Sequence, residues 1–144
     1  MKIDLIAGAR PNFMKIAPII EAIKLAQDKG KNISYRLIHT GQHYDANMSG
    51  SFFDQLGIPY PDVNFNAGGG SQAEQTAAIM IAYEKLLLNE KPELCIVVGD
   101  VTSTMACSIS ARKMLVPVAH VEAGIRSGDR SEEHTSELQS HHPI

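Results

Sequence analysis

Short, almost wholly apolar runs alternate along the chain with longer amphipathic stretches. The apolar runs have the length of strands, whereas the longer stretches repeat their apolar residues every three or four positions, as one face of a helix does. We predict strands over residues 3–7, 33–39, 63–65, 94–98 and 116–121. We predict helices over residues 11 to about 27, 48–56, 71–90 and 102–113.

The main predicted strands are apolar at consecutive positions, not at every second one. This pattern is typical of a parallel sheet that is buried on both faces, and strict strand–helix alternation favours the same architecture. The longest predicted helix starts after Ser71, and Glu74 stands where a capping box requires it. At 144 residues the chain has the length of one domain. We therefore predict an α/β fold with a Rossmann-like parallel sheet and helices on both faces.

The last 14 residues, SEEHTSELQSHHPI, differ in composition from the rest. They contain three glutamates and three of the six histidines but no lysine or arginine, and RSEEHTSELQS reads as the translation of a common sequencing-library adapter. We expect residues 1–130 to form the domain and residues 131–144 to be a non-native, disordered tail. Without that tail, 13 basic residues face 13 acidic ones, so charge gives no reason to expect nucleic acid or an anionic membrane as partner.

Two cations follow the first predicted strand, where ligands of a parallel sheet collect. Arg10 stands at the start of the first helix and Lys15 one turn further on, with Gly8 before them. Cations at a helix N-terminus oppose the helix dipole, so the pair indicates a bound anion such as phosphate, with Gly8 allowing close approach to the backbone. The alternative is a pair of ordinary surface charges.

Two carboxylates follow later strands at the same predicted edge. Asp100 comes after the fourth strand and could simply cap the next helix. Glu122 ends the fifth strand, where burial would raise its pKa towards the range of a general acid or base, and Arg126 lies near it. His43 lies in the loop after the second strand and is a further binding candidate.

Metal and dinucleotide sites are not expected. His39 and His43 lack a third ligand nearby, and Cys95 and Cys107 lack the spacing of a zinc site or a disulfide framework. GARPNF lacks the later glycines of a dinucleotide fingerprint, and no glycine loop continues into GK[ST]. Free thiols fit a reducing cytosol, so we expect a cytoplasmic protein. We find no apolar run of the length of a signal peptide or a membrane span.

Five motifs in order resemble the N-terminal half of the non-hydrolysing UDP-N-acetylglucosamine 2-epimerase family. They are GARPNFMKIAPI, HTGQHYDANMS, GSQAEQT, VVGDVTSTMA and AHVEAGIRSGDR. The resemblance implies the N-terminal domain of a two-domain enzyme of the GT-B type, which interconverts UDP-GlcNAc and UDP-ManNAc for bacterial surface polysaccharides. It also implies a homodimer when full length, and no cofactor.

The family's chemistry would explain the polar cluster. UDP is expelled from C1 of the sugar as a base removes the C2 proton, and it adds back to the resulting 2-acetamidoglucal. By this resemblance Arg10 and Lys15 bind the substrate and its phosphates, while Asp100 and Glu122 bind substrate and exchange protons. No metal or nicotinamide is required.

The chain departs from the family pattern in three places. Thr102 replaces the usual asparagine, Asp45 stands near the second glutamine of an allosteric site, and the segment after Arg130 is replaced. The C-terminal domain is absent, so we expect this fragment to be inactive alone. A fragment of a GT-B glycosyltransferase and a non-catalytic UDP-sugar-binding module remain as alternatives.

Overall fold

The computed structural model describes residues 1–41, 50–99 and 102–121. Within these ranges it contains five strands and four helices. The strands are β1 (Lys2–Ala7), β2 (Ser34–His39), β3 (Val63–Asn64), β4 (Leu94–Val98) and β5 (Val118–Val121). The helices are α1 (Arg10–Asp28), α2 (Gly50–Leu56), α3 (Gln72–Asn89) and α4 (Thr102–Lys113).

The strands form one sheet in the order β3-β2-β1-β4-β5, and all of their pairings are parallel. The chain builds outward from β1 to β3, then returns to the other side of β1 to place β4. This reversal makes a topological switch point between the carboxyl ends of β1 and β4, which is where such sheets bind ligands. The predicted α/β class with a parallel sheet is confirmed.

Helices cover the sheet on both faces. Ile3, Leu5 and Ala7 of β1 pack in one cluster with apolar side chains of α1 and α2, whereas Ile6 packs in a second cluster with those of α3 and α4. Successive strand residues point to opposite faces, so a continuously apolar strand supplies both clusters. The predicted burial on both sides is therefore confirmed.

The capping box at the start of α3 is formed as predicted. The amide of Glu74 donates to Ser71 Oγ at 3.1 Å, and the amide of Ser71 donates to Glu74 Oε1 at 2.8 Å. These hydrogen bonds lower the pKa of Glu74. The box satisfies two amide groups that a helix start leaves unpaired.

A buried ion pair lies towards the amino ends of the strands, which we call the amino edge, and thus away from the switch point. Asp4 of β1 is 1 % exposed and receives two hydrogen bonds of 2.8 Å from Arg36 of β2, its register partner. Tyr83 of α3 donates to the same carboxylate at 2.8 Å, and Glu90 accepts from Arg36 at 3.4 Å. This group, Asp4, Arg36, Tyr83 and Glu90, is called the amino-edge network below. It links two strands to α3.

None of the helices within the described residues is long and apolar enough to cross a membrane. Residues 122–144, which include the predicted tail at 131–144, lie outside those residues. The division of the chain at residue 130 therefore stays a prediction.

Candidate functional site

The turn from β1 into α1 is held by a side chain that the sequence analysis gave no role. Asn12, in the first turn of α1, is 4 % exposed, and its Oδ1 accepts from the amides of Gly8 at 2.9 Å and Ala9 at 3.0 Å. Pro11 has no amide hydrogen. Because Asn12 already satisfies two amides of this turn, an anion here would be bound mainly by side chains.

Gly8 is required by packing within the domain, and its role in admitting a ligand to the backbone stays a prediction. A Cβ atom at this position would overlap the side chain of Ser103, at the start of α4, and would lie 3.0 Å from Thr40 Oγ1. Ser103 and Thr40 are both buried. The glycine therefore allows α4 and the end of β2 to close on the β1–α1 turn.

Lys15 lies over the switch point. Its half-buried side chain crosses from α1 towards the end of β4, and Nζ lies 3.8 Å from the position that a Cβ atom on Gly99 would take. Asn12 Nδ2 lies 3.2 Å from the same position. Gly99 has a φ of +75°, which favours glycine. The amine of Lys15, on the helix that follows β1, thus stands at the carboxyl end of β4.

Arg10 lies at the same edge, at the first position of α1. Its side chain is exposed, and the guanidinium carbon lies 4.8 Å from the centre of the Phe52 ring in α2. Two of the predicted binding residues, Arg10 and Lys15, are therefore brought to one edge of the sheet, close to the start of α1.

His39 at the end of β2 is bound within the domain. Its Nδ1 accepts from the amide of Gly41 at 2.7 Å, and its ring centre lies 5.2 Å from that of Phe13. Burial lowers the pKa of His39, so the neutral ring is favoured, with its proton on Nε2. Among residues 1–41, 50–99 and 102–121 no group of three His, Cys, Asp or Glu side chains could hold a metal ion.

The turn that precedes Asp100 is tied to β5. His120 Nε2 donates to the carbonyl of Gly99, and the amide of Gly99 donates to the carbonyl of Val121 at 3.3 Å. Gly99 and Val121 are the residues immediately before Asp100 and Glu122 in the sequence. The last residues before both predicted carboxylates therefore lie side by side.

Four predicted site residues lie outside the described residues. They are His43, Asp100, Glu122 and Arg126. Their assignment to catalysis or substrate binding stays a prediction.

Three buried polar residues at this edge were missed by sequence reasoning. Asn12 and Ser103 could not be singled out from the sequence, because small polar residues are common at helix starts and indicate no specific role. Thr40 follows β2 directly, and its buried Oγ1 has no hydrogen-bond partner within the described part of the chain. Its position after a strand was the available signal.

Comparison with known proteins identifies relatives of the whole described region. Residues 25–141 match the family described as UDP-N-acetylglucosamine 2-epimerase. The UDP-N-acetylglucosamine 2-epimerase of Methanocaldococcus jannaschii is 44 % identical over 131 residues, which are 91 % of this chain and 34 % of the relative. A UDP-2,3-diacetamido-2,3-dideoxy-D-glucuronate 2-epimerase of Pseudomonas aeruginosa is 46 % identical over 127 residues, covering 88 % of this chain and 35 % of the relative.

Solved structures show the same relationship. The crystal structure of the M. jannaschii UDP-GlcNAc 2-epimerase with UDP-GlcNAc and UDP superposes with a TM-score of 0.77 at 43 % identity, covering 98 % of this chain and 38 % of that one. The Neisseria meningitidis enzyme bound to UDP-GlcNAc gives 0.74 at 29 % identity, covering 98 % and 37 %. The chain thus spans about a third of the length of the curated relatives above. From its family match, its fold and these likenesses, the chain belongs to the UDP-N-acetylglucosamine 2-epimerase family.

Proposed function

We propose that the full-length protein carrying this chain is a UDP-N-acetylglucosamine 2-epimerase that interconverts UDP-GlcNAc and UDP-ManNAc. The observation that carries the proposal is the position of two cations, Arg10 and Lys15, at the switch-point edge of a domain of this family. A leaving diphosphate needs cationic groups at this kind of place.

The proposed reaction breaks and forms the same bonds in two steps. A base removes the proton from C2 of the sugar, the C1–O bond to the diphosphate breaks, and UDP leaves with that electron pair, giving 2-acetamidoglucal. UDP then adds back to C1 while an acid delivers a proton to the other face of C2. Arg10 and Lys15 would stabilise the negative charge that develops on UDP.

We propose Asp100 and Glu122 as the proton-transfer groups and substrate contacts, with His43 and Arg126 as further substrate contacts. The hydrogen bond of 3.3 Å between the amide of Gly99 and the carbonyl of Val121 supports this. It joins the residues directly before the two carboxylates, and two carboxylates on neighbouring strand ends can serve opposite faces of one sugar.

A second candidate substrate comes from one comparison. The P. aeruginosa relative, named for UDP-2,3-diacetamido-2,3-dideoxy-D-glucuronate, is 46 % identical, and the M. jannaschii relative is 44 % identical. Identity over this third of the protein does not separate the two. We therefore propose UDP-linked 2-acetamido sugars as the substrate class, with UDP-GlcNAc as the first member to test.

The test uses the full-length protein in D2O with each sugar nucleotide in turn, followed by NMR. We expect conversion of UDP-GlcNAc to UDP-ManNAc, with solvent deuterium at C2 of the product. If only the diacetamido sugar nucleotide is converted, that compound replaces UDP-GlcNAc as the proposed substrate. Product without deuterium at C2 would contradict the proposed proton transfer. UDP binding without turnover of either sugar would favour a binding module.

A second assay addresses the fragment. Residues 1–144 alone should give no UDP-ManNAc, because the chain spans about a third of its relatives and their remaining part would have to complete the site. Turnover by the fragment would contradict this. We also propose, by analogy with the family, that the full-length protein is cytoplasmic and homodimeric. Light scattering of the purified protein would test whether it is a dimer.

A further inference from the structure

The exposed guanidinium group of Arg10 lies on the face of a buried aromatic ring. Its central carbon is 4.8 Å from the ring centre of Phe52, which is within the range of a cation–π contact. Phe52 belongs to α2, some forty residues further along the chain, and is 5 % exposed. The contact therefore places a long, exposed arginine side chain against a buried ring of the core.

Arg10 would otherwise be poorly held. It stands at the start of α1, where a positive charge is repelled by the helix dipole. Within the described part of the chain, the ion pairs involve Lys2, Arg36 and the N-terminal amine, and none involves Arg10. A long, exposed arginine side chain has many rotamers, and ordering it on a ligand costs free energy.

Stacking orders the side chain without using its donors. An aromatic ring contacts the flat face of a guanidinium group, whereas the N–H groups point outward in the plane. A carboxylate partner would instead occupy those N–H groups and compete with an anionic ligand. An arginine held on a ring thus keeps its N–H donors available for a phosphate.

The ring itself is fixed by its neighbours. The centre of Phe52 lies 6.4 Å from Phe13 and 5.2 Å from Phe53, both in edge-on geometry. Phe53 is 4 % exposed and occupies the same aromatic cluster, but the guanidinium carbon of Arg10 lies over the ring of Phe52. Within the described residues the two neighbours differ in their contacts, because Phe53 lies 5.3 Å from the ring of Tyr60 whereas Phe52 lies under Arg10.

We propose that Phe52 is a positioning residue for Arg10, which it holds in place to bind the diphosphate of the sugar nucleotide. The inference rests on the proposed function, because it names a support for one binding residue of that same site.

The experiment compares Phe52→Leu with Phe53→Leu in the full-length protein. Both substitutions replace a buried phenylalanine of α2 by leucine, so their thermal melts report the shared cost to packing. We expect Phe52→Leu to weaken UDP binding, measured by calorimetry, by about two- to fivefold, and to lower kcat/KM for UDP-GlcNAc to a similar extent. Phe53→Leu should leave UDP affinity unchanged, and Phe52→Tyr, which keeps the ring, should retain affinity.

A double-mutant cycle with Arg10→Met separates positioning from general damage. If Phe52 acts through Arg10, Phe52→Leu should weaken UDP binding no further once Arg10 is methionine. Equal losses for Phe52→Leu and Phe53→Leu, or full additivity with Arg10→Met, would overturn the inference. Failure of the unaltered protein to bind UDP would overturn the proposed function and this inference together, whereas the variant comparison bears on Phe52 alone.

Discussion

Asp4 and Arg36 face each other as register partners on adjacent parallel strands and share two hydrogen bonds of 2.8 Å. The Asp4 side chain is 2 % exposed and that of Arg36 is 16 % exposed. A buried pair of this kind gains little over an apolar pair, but removal of one partner leaves the other charge without compensation. The amino-edge network should therefore tolerate single substitutions badly.

We predict that Asp4→Ala lowers the free energy of unfolding by about 3 kcal/mol or more, because Tyr83 loses its acceptor and Arg36 loses both of its 2.8 Å hydrogen bonds to a buried carboxylate. Urea denaturation followed by circular dichroism would measure it. Lys2→Ala is the control, since Lys2 pairs with Glu90 on the surface and should cost less than about 1 kcal/mol. Equal costs for the two variants would contradict the prediction.

The stability of the protein should fall on acidification in part through His39. Burial lowers its pKa below the ordinary value of 6.5, so at low pH the unfolded chain binds a proton that the folded state resists. The stabilisation is complete above pH 6.5 and is lost as the pH falls towards the folded pKa. Melts of His39→Asn between pH 7.5 and 5 should therefore show a shallower loss than the unaltered protein, and parallel curves would refute this role.

Glu122→Gln in the full-length protein should reduce turnover of UDP-GlcNAc by about a hundredfold or more, because an amide cannot exchange the C2 proton. The affinity for UDP, measured by calorimetry, should change little. Asp100→Asn tests the other carboxylate in the same way. Near-normal turnover of either variant would remove that residue from proton transfer.

Lys15→Met should weaken UDP binding by about tenfold or more, which is the cost of losing one charge-assisted hydrogen bond. Lys24→Met is the matched control, because Lys24 lies on the same helix but bonds at 3.4 Å to the carbonyl of Gly57, away from the switch point. Calorimetric titration with UDP distinguishes them. If both variants bind alike, Lys15 does not contact the diphosphate.

The secondary structure could be predicted closely from the sequence because hydrophobic periodicity dominates it. The predicted strand at residues 94–98 and helix at 102–113 coincide with β4 and α4. The last strand begins at Val118, two residues after the predicted start, since Val116 is buried before pairing begins and the carbonyl of Pro117 accepts from Cys95. The position of Arg10 and Lys15 followed from the rule that strand ends of a parallel sheet share one edge.

Contacts between distant segments could not be predicted in this way. Phe52 lies under Arg10 because α2 packs on the same sheet face as α1, and no local pattern encodes that meeting. Asp4 stands inside an apolar run, and its partner Arg36 becomes visible only once the register of β1 and β2 is known. The capping box of Ser71 and Glu74, by contrast, is local and was found from spacing alone.

Under the proposed function, the two ends of the strands would have different roles. The amino-edge network ties β1, β2 and α3 together, whereas Arg10 and Lys15 stand at the opposite ends of the strands. Substitutions that alter ligand preference at one edge need not touch the contacts that secure the other. With this separation, substrate preference would be able to change during evolution without loss of thermal stability. Protein engineers could then optimise the two regions independently.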